Sequence, residues 1–172
     1  SSAASDVYKR QDNGVFILKF EGDVRVTLGP TISTFLDRIS RCESFQSVVV
    51  DLTDCTGIDS TALGMLAKIS LRTEAAYGAQ PTIVSTNEDV TRLLTNVGFE
   101  EVFVIVTTVM GADGELVELP REVVSEANLR EQVLEAHRVL MALNEPNRLE
   151  FCDLVAALEE ERSAMAARSI AS

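Results

Sequence analysis

Hydrophobic positions in the first two thirds of the chain follow two alternating spacings. Short runs rich in β-branched and aromatic residues are typical of strands, and they occur at residues 7–9, 15–20, 24–28, 48–52, 81–85 and 102–106. Between these runs, apolar residues recur at every third or fourth position, which predicts helices near residues 31–39, 60–77 and 88–96. Strands that alternate with helices favour crossover connections, so the pattern predicts an α/β fold with a mostly parallel sheet and helices packed on it.

Turn signals separate these elements. Asn87 is a good N-cap and Gly78 a natural helix stop. Residues 53–57 are small and polar, which indicates a turn between the strand at 48–52 and the next helix. Residues 110–114 predict the tip of a hairpin that joins the last strand to Leu119.

The spacing after Pro120 is that of helices alone. Asn144-Glu145-Pro146 interrupts it, and Asn147 followed by Glu150 resembles a capping box for a second helix. The sequence therefore predicts a C-terminal α-helical hairpin, whose apolar stripe must be buried against the preceding domain or against a second effector protein. One face of its first helix holds Leu129, Val133, Ala136, His137 and Leu140.

These patterns divide the chain into four parts. Residues 7–119 form the predicted α/β domain, and residues 120–163 form the helical hairpin extension. Residues 1–6 and 164–172 are small and polar, which is typical of disordered or appended ends.

Charge narrows the class of partner. The formal net charge of −12 argues against a surface that binds nucleic acid or an anionic membrane, and it favours a protein partner. No apolar run is long enough to span a membrane, and the N-terminus lacks the basic-then-apolar pattern of a signal peptide. A cytoplasmic location without direct membrane insertion is therefore expected.

The cysteines indicate neither cross-links nor a metal site. Cys42, Cys55 and Cys152 are widely spaced and odd in number, which fits neither a disulfide framework nor a zinc motif. We expect free thiols in a reducing compartment, and neither a metal ion nor another cofactor.

The sequence lacks the motifs of the common enzyme classes, including the phosphate-binding loop, the dinucleotide fingerprint, the nucleophile elbow and the HExxH zinc motif. His137 is the only histidine, and it lies far in sequence from Ser60. We interpret His137 as a half-buried packing residue and not as a general base for Ser60. The protein is predicted not to be an enzyme.

The segment Asp59-Ser60-Thr61 opens a helix that follows a buried strand and a short loop. The first turn of a helix carries unpaired N–H groups and a partial positive charge, which stabilise an anion. Ser60 can therefore carry a phosphate group at low energetic cost. The alternative is that Asp59 or Ser60 only caps the helix, as both residue types commonly do. Local chemistry leaves both interpretations open.

The hexapeptide D-S-T-A-L-G at Asp59–Gly64 resembles the signature of the anti-sigma factor antagonist (STAS) family, which usually reads D-S-[ST]-[GA]-L-G. The resemblance extends over residues 7–106 and leaves the helical tail outside. It implies a STAS-like sheet of four to five strands. It also implies that Ser60, directly after the aspartate, is the phosphorylated serine.

That resemblance implies a phosphorylation-controlled partner switch in bacterial transcription regulation. The unphosphorylated form would bind an anti-sigma factor or a serine protein kinase and so release a sigma factor. Phosphorylation of Ser60 would end this binding, and a serine phosphatase would restore it. Two alternatives are a STAS subunit of a membrane lipid-transport ATPase complex and an adaptor that binds a signalling enzyme through its helical tail.

The face of the helix around Ser60 is the predicted docking surface. Leu63, Gly64 and Ala67 follow Ser60 by three, four and seven positions and so share its face. With Asp59 and Thr61 they make up the predicted partner-binding residues. A glycine inside a helix costs about 1 kcal/mol relative to alanine. Gly64 therefore indicates close packing on a neighbouring helix or a flat surface that the backbone of another protein approaches.

One residue departs from the family pattern. Family members often carry an aspartate in the loop before the first helix, where this chain has Arg25. That loop lies beside the serine in the family's fold, and a guanidinium group binds phosphate with two hydrogen bonds. Arg25 is therefore a predicted phosphate contact, and a solvated surface arginine is the alternative.

Overall fold

A six-stranded mixed sheet organises the part of the chain that the structure describes. The structure is a computed structural model, and it describes residues 6–12, 14–108, 117–120 and 122–171. The strand order is β5-β4-β3-β2-β1-β6, in which β2 to β5 run parallel and β1 and β6 are antiparallel additions at one edge. The strands are β1 (Asp6–Asp12), β2 (Val15–Val24), β3 (Ser47–Ile58), β4 (Thr82–Val84), β5 (Val104–Val106) and β6 (Val117–Glu118).

Five α-helices accompany this sheet in the described ranges. They are α1 (Gly29–Ile39), α2 (Ser60–Tyr77), α3 (Glu88–Asn96), α4 (Glu126–Leu143) and α5 (Glu145–Ala171). Alternate residues of β2 are buried, among them Phe16, Leu18 and Phe20, while the residues between them are half-exposed. One face of the sheet therefore carries the main core. The predicted mostly parallel α/β fold with C-terminal helices is confirmed.

Helix bounds set by local signals agree closely with the sequence prediction. The side chain of Asn87 accepts hydrogen bonds from the N–H groups of Asp89 and Val90 at the start of α3. Gly78 ends α2 in a left-handed conformation, with φ of +69°. Both devices act within a few residues, so they can be recognised without knowledge of the tertiary structure.

The predicted turn at residues 53–57 was wrong, because β3 continues to Ile58. Leu52, Cys55 and Ile58 are buried along this extension. The pairing of β3 with β2 shifts register twice, and each shift places an extra residue in β3. The small and polar residues are thus the solvent-facing positions of an irregular strand. Its partner β2 is likewise continuous through residues 21–23.

Two further strand predictions need correction. Only Val24 of the run at 24–28 belongs to a strand, because Val26–Leu28 forms a single 3-10 turn before α1. The predicted hairpin between β5 and Leu119 does not form, since β6 pairs with β1 at the opposite edge of the sheet. The predicted hairpin tip at residues 110–114 lies outside the described residues.

The C-terminal helices α4 and α5 pair in an antiparallel hairpin. Arg138 on α4 pairs with Glu159 on α5, and Glu131 on α4 pairs with Arg162 on α5. The second pair lies earlier along α4 and later along α5, as antiparallel helices require. Asn144 joins the helices, and its side-chain oxygen caps α5 by accepting from the N–H of Asn147 at 2.8 Å. The capping-box prediction named Asn147 as the cap and was wrong, because the cap is Asn144.

The second helix also continues past its predicted end. It runs to Ala171, whereas the sequence analysis placed a disordered tail after residue 163. Alanine, which is frequent in this stretch, has the highest helix propensity, so the helix continues although most of these residues are exposed. Of the described residues, no helix combines the length and apolarity that a bilayer crossing requires. Cys42, Cys55 and Cys152 are free, as expected.

The buried amide of Asn147 joins α5 both to the α/β domain and to α4. Asn147 is 3% exposed, and its side-chain nitrogen donates to the carbonyl groups of Val97 and Leu140, each at 2.9 Å. We predict that Asn147→Ala lowers the free energy of unfolding by about 1–3 kcal/mol, because the carbonyl of Leu140 loses this donor and that of Val97 keeps only the longer bond from Asn144, at 3.3 Å.

Urea denaturation followed by circular dichroism measures this loss. Asn128→Ala, at an exposed position of α4, is the matched control and should change stability by less than about 0.5 kcal/mol. Equal effects of the two substitutions would show that the buried amide does not constrain the hairpin.

Candidate functional site

Asp59 fixes the start of α2 with both carboxylate oxygens. Its Oδ1 accepts from the N–H of Ala62 at 2.7 Å, and its Oδ2 accepts from the N–H of Val26 at 2.9 Å. The first bond caps α2, and the second ties the turn after β2 to the same point. The capping interpretation is therefore correct for Asp59. Ser60, the first residue of α2, keeps its hydroxyl for another partner.

That partner is His137 on α4. The Oγ of Ser60 lies 2.8 Å from Nε2 of His137, although the two residues are 77 positions apart. The Nδ1 of His137 lies 2.7 Å from the carbonyl oxygen of Val133. A carbonyl oxygen can only accept, so Nδ1 carries the proton. In the neutral ring Nε2 is then the acceptor, and the Ser60 hydroxyl donates to it.

His137 is more buried and closer to Ser60 than the sequence analysis supposed. It is 2% exposed, and its ring meets that of Phe151 edge to face, with 5.3 Å between ring centroids. The packing interpretation thus agrees with the ring contact to Phe151, but it does not include the hydrogen bond with Ser60. Distance along the chain gave no indication of this contact, because it depends on how α4 docks.

Gly64 allows α4 to dock this closely. A Cβ atom built on Gly64 would lie 2.2 Å from the carbonyl oxygen of Ala136, far inside van der Waals contact. One turn further along α2, the Lys68 ammonium pairs with Glu135 at 3.0 Å. Successive turns of α2 at Ser60, Gly64 and Lys68 therefore all contact one short stretch of α4.

Three further predicted partner-binding residues are buried on the same helix, α2. Thr61, Leu63 and Ala67 are 6%, 4% and 0% exposed. Of the two interpretations of Gly64, close packing on a neighbouring helix describes the structure, and the backbone that approaches it belongs to the same chain. Whether these residues also bind another protein stays a prediction.

One feature of the sequence indicates that a second helix packs on α2, and the sequence analysis did not consider it. All ten residues from Thr61 to Ser70 are buried, so α2 is enclosed on every side for almost three turns. Nearly all of them are apolar or small, with Lys68 as the exception. A helix of this kind needs a second layer beside the sheet, which here is α4.

Arg25 lies in the same region but has its own partner. Its guanidinium group contacts Oδ2 of Asp23 through Nε at 2.6 Å and Nη2 at 2.5 Å. The side chain is 65% exposed. The neighbouring residue Val26 donates to Asp59, so the turn that carries Arg25 is anchored at the start of α2. The phosphate contact of Arg25 stays a prediction.

The carboxylate of Asp59 dominates the electrostatics at Ser60. It already supplies a negative charge to the positive end of α2. A phosphate on Ser60 would be a second anion beside it, so the helix N-terminus would stabilise it less than an uncapped helix would. In the adjoining part of β3, the thiol of Cys55 donates to the carbonyl of Gly57, and burial raises the pKa of this thiol.

We predict that Asp59→Ala lowers the free energy of unfolding by about 1–2 kcal/mol or more, because it removes the cap of α2 together with the tie to Val26. Asp59→Asn keeps one acceptor oxygen and should lose less. Urea denaturation of the two variants measures the difference. Unchanged stability in Asp59→Ala would contradict this account of the carboxylate.

We also predict the tautomer of His137. In the neutral ring the proton should reside on Nδ1, because the Val133 carbonyl can only accept. Long-range ¹H–¹⁵N NMR correlation distinguishes the two ring nitrogens, and a single histidine in the sequence gives an unambiguous signal. A proton on Nε2 would contradict the hydrogen bond that Ser60 donates.

Comparison with solved structures shows a shared fold. Unphosphorylated SpoIIAA, an anti-sigma factor antagonist, is 8% identical at a TM-score of 0.50, and the match covers 60% of this chain and 89% of that one. A candidate anti-sigma factor antagonist from Thermotoga maritima is 21% identical at 0.50, covering 59% and 86%. An anti-sigma factor antagonist from Mycobacterium paratuberculosis is 17% identical at 0.52, covering 63% and 91%.

No curated protein matches this sequence. The family model of the STAS domain matches residues 6–112, which is more than half of the chain. Together with the fold, this match shows that the chain belongs to the STAS domain family.

Proposed function

We propose that this protein is an anti-sigma factor antagonist that works as a phosphorylation-controlled partner switch in the bacterial cytoplasm. The observation that carries the proposal is the division of roles at the start of α2. Asp59 performs the capping, so the helix terminus does not need the hydroxyl of Ser60, which is bonded to His137 and stands at the position where the family signature has its phosphorylated serine. Membership of the STAS domain family supports the same function.

Electrostatics predicts that phosphorylation of Ser60 weakens partner binding. A phosphate adds about −1.5 to −2 charges and three acceptor oxygens. On Ser60 it would stand beside the carboxylate of Asp59 and next to the apolar face of Leu63 and Ala67. A protein docked on that face would have to desolvate the phosphate and accept a second negative charge. A loss of about 3 kcal/mol weakens binding by more than a hundredfold.

The partners in this proposal are an anti-sigma factor or serine protein kinase that binds the unphosphorylated form, and a serine phosphatase that restores it. Arg25 is the proposed phosphate contact, and reaching Ser60 would require it to release Asp23. A second effector bound through the C-terminal helices is a further part of the proposal. The exposed side chains of Leu149 and Leu154 on α5 support it, at 62% and 42% exposure.

The hydrogen bond between Ser60 and His137 also resembles that of an activated serine nucleophile, which raises a catalytic alternative. Such a serine needs an adjoining space where the reacting carbon of a substrate can lie. Here the backbone of α4 at Ala136 closes the next turn of α2, and the ring of His137 is 2% exposed. The geometry therefore favours a contact that holds two helices together, and we propose no enzymatic activity.

Substitution of Ser60 tests the switch. Ser60→Ala should keep a partner bound constitutively, whereas Ser60→Asp should weaken the same partner by roughly a hundredfold or more, because it places a fixed negative charge in the docking face. Affinity purification from the native cells, with mass spectrometry of bound proteins and of the phosphorylated residue, provides the partner. Titration of that partner then provides the two affinities.

Ser40→Asp is the matched control, since it adds the same charge at an exposed serine at the end of α1. It should bind like the parent protein. Equal affinities of Ser60→Ala and Ser60→Asp would overturn the proposed switch.

A further inference from the structure

The α4–α5 hairpin covers the same face that the proposed function assigns to a partner. His137 accepts a hydrogen bond from the Ser60 hydroxyl, the backbone of Ala136 packs on Gly64, and Glu135 pairs with Lys68. A kinase must reach the oxygen of Ser60, and a partner must lie on Leu63 and Ala67, which are 4% and 0% exposed. Ser60 itself is partly exposed, but its hydroxyl is bonded to His137, and no partner backbone can approach Gly64 while α4 is in place.

We propose that the hairpin is an intramolecular competitor, which keeps the Ser60 face closed until it is displaced as a unit. This inference rests on the proposed function, because it concerns access to the same site. The occupant of the face is a named segment of the chain, and the contact that excludes others is a helix backbone packed on a glycine. A partner must therefore displace α4 before it gains the face.

The hairpin has the internal contacts of a unit that moves together. Leu134 and Val155 are 2% and 6% exposed, yet neither belongs to the main hydrophobic core, so they are buried between α4 and α5. Ion pairs between the two helices add to this packing, at Arg138–Glu159 and Glu131–Arg162. These contacts survive when α4 leaves α2.

The contacts between α4 and the α/β domain are of a kind that another protein docked on α2 could also make. The buried residues that α4 gives to the main core are Ala136 and Leu140, and the partly buried Val139, Leu143 and Phe151 of the hairpin pack against that core. The polar contacts of α4 with α2 are single bonds, and Glu135 of the Lys68 pair is 56% exposed. A further polar attachment is at the carbonyl of Val97, which accepts from the side chains of Asn144 and Asn147. The segment before α4 is not helical, and its Val123 is 94% exposed, which provides a connection able to change direction. A docked helix held in this way can exchange with a competitor.

Thiol labelling of the full-length chain tests the cover without any partner. The parent carries Ser60→Cys, with Cys42 and Cys152 changed to serine. Cys55 stays, because it is 1% exposed and burial raises its pKa, so its modification reports global unfolding. Ala136→Leu adds bulk at a fully buried position of α4 whose backbone lies on Gly64, and Ala142→Leu adds the same bulk at an exposed position of the same helix. The rate of reaction with a small maleimide is followed by mass spectrometry.

Slow labelling is expected in the parent and in Ala142→Leu, and labelling faster by about tenfold or more in Ala136→Leu, with Cys55 still protected. If Cys55 also reacts in Ala136→Leu, Glu135→Lys decides instead, because it opposes Lys68 from an exposed position and leaves the core unchanged. Rapid labelling of the parent, or equal rates in all variants, would contradict the proposal that the hairpin closes the Ser60 face.

These outcomes are separate from those of the proposed function. Equal partner affinities of Ser60→Ala and Ser60→Asp would remove the switch and leave the labelling difference unchanged. Uniform labelling would remove the cover and leave the switch intact.

Discussion

The close approach of two helix backbones at Gly64 determines how the two parts of this protein fit together. Any larger residue would place its Cβ within 2.2 Å of the Ala136 carbonyl oxygen and push α4 away. Because the helices meet there, His137 reaches Ser60 on one side of the crossing and Glu135 reaches Lys68 on the other. The same crossing encloses α2 between the sheet and α4, which is why ten successive residues of that helix are buried. The segment Asp59–Gly64 thus contains both Ser60 and the glycine that allows α4 to pack beside it.

The contacts that close the site are weak individually and differ in kind. A hydrogen bond between uncharged groups, such as that of Ser60 with His137, contributes about 0.5–1.5 kcal/mol net. A partly exposed ion pair such as Lys68–Glu135 contributes about 1 kcal/mol or less. Most of the attachment therefore comes from apolar packing and from the buried amide of Asn147. None of these contacts involves Asp59, so the start of α2 stays formed whether or not the hairpin is docked.

The sequence predicted what depends on neighbours along the chain and missed what depends on docking. The order of strands and helices, the cap at Asn87 and the stop at Gly78 follow from local patterns, and the structure agrees with them. The extension of β3 was missed because its register shifts give buried residues an irregular spacing. At the site, the sequence placed Ser60 in the first turn of α2, but the contact with His137 spans 77 positions and has no local pattern. Only the uniform burial that α2 requires could have indicated a second layer.

Competition between a covering helix and a partner has a simple energetic consequence. If the hairpin is open in about one molecule in a hundred, the apparent affinity of a partner for the Ser60 face falls by about a hundredfold. A difference of about 2.7 kcal/mol maintains this ratio, which is within the range of a few apolar contacts and hydrogen bonds. Coupling of this kind is reciprocal, so a partner that takes the Ser60 face must release the hairpin to the same extent. Release would uncover Ala136, His137 and Leu140 on α4, which are fully enclosed when α4 is docked. The surface available for a second effector would therefore grow only when the first partner is bound, so one helix crossing would connect both interactions.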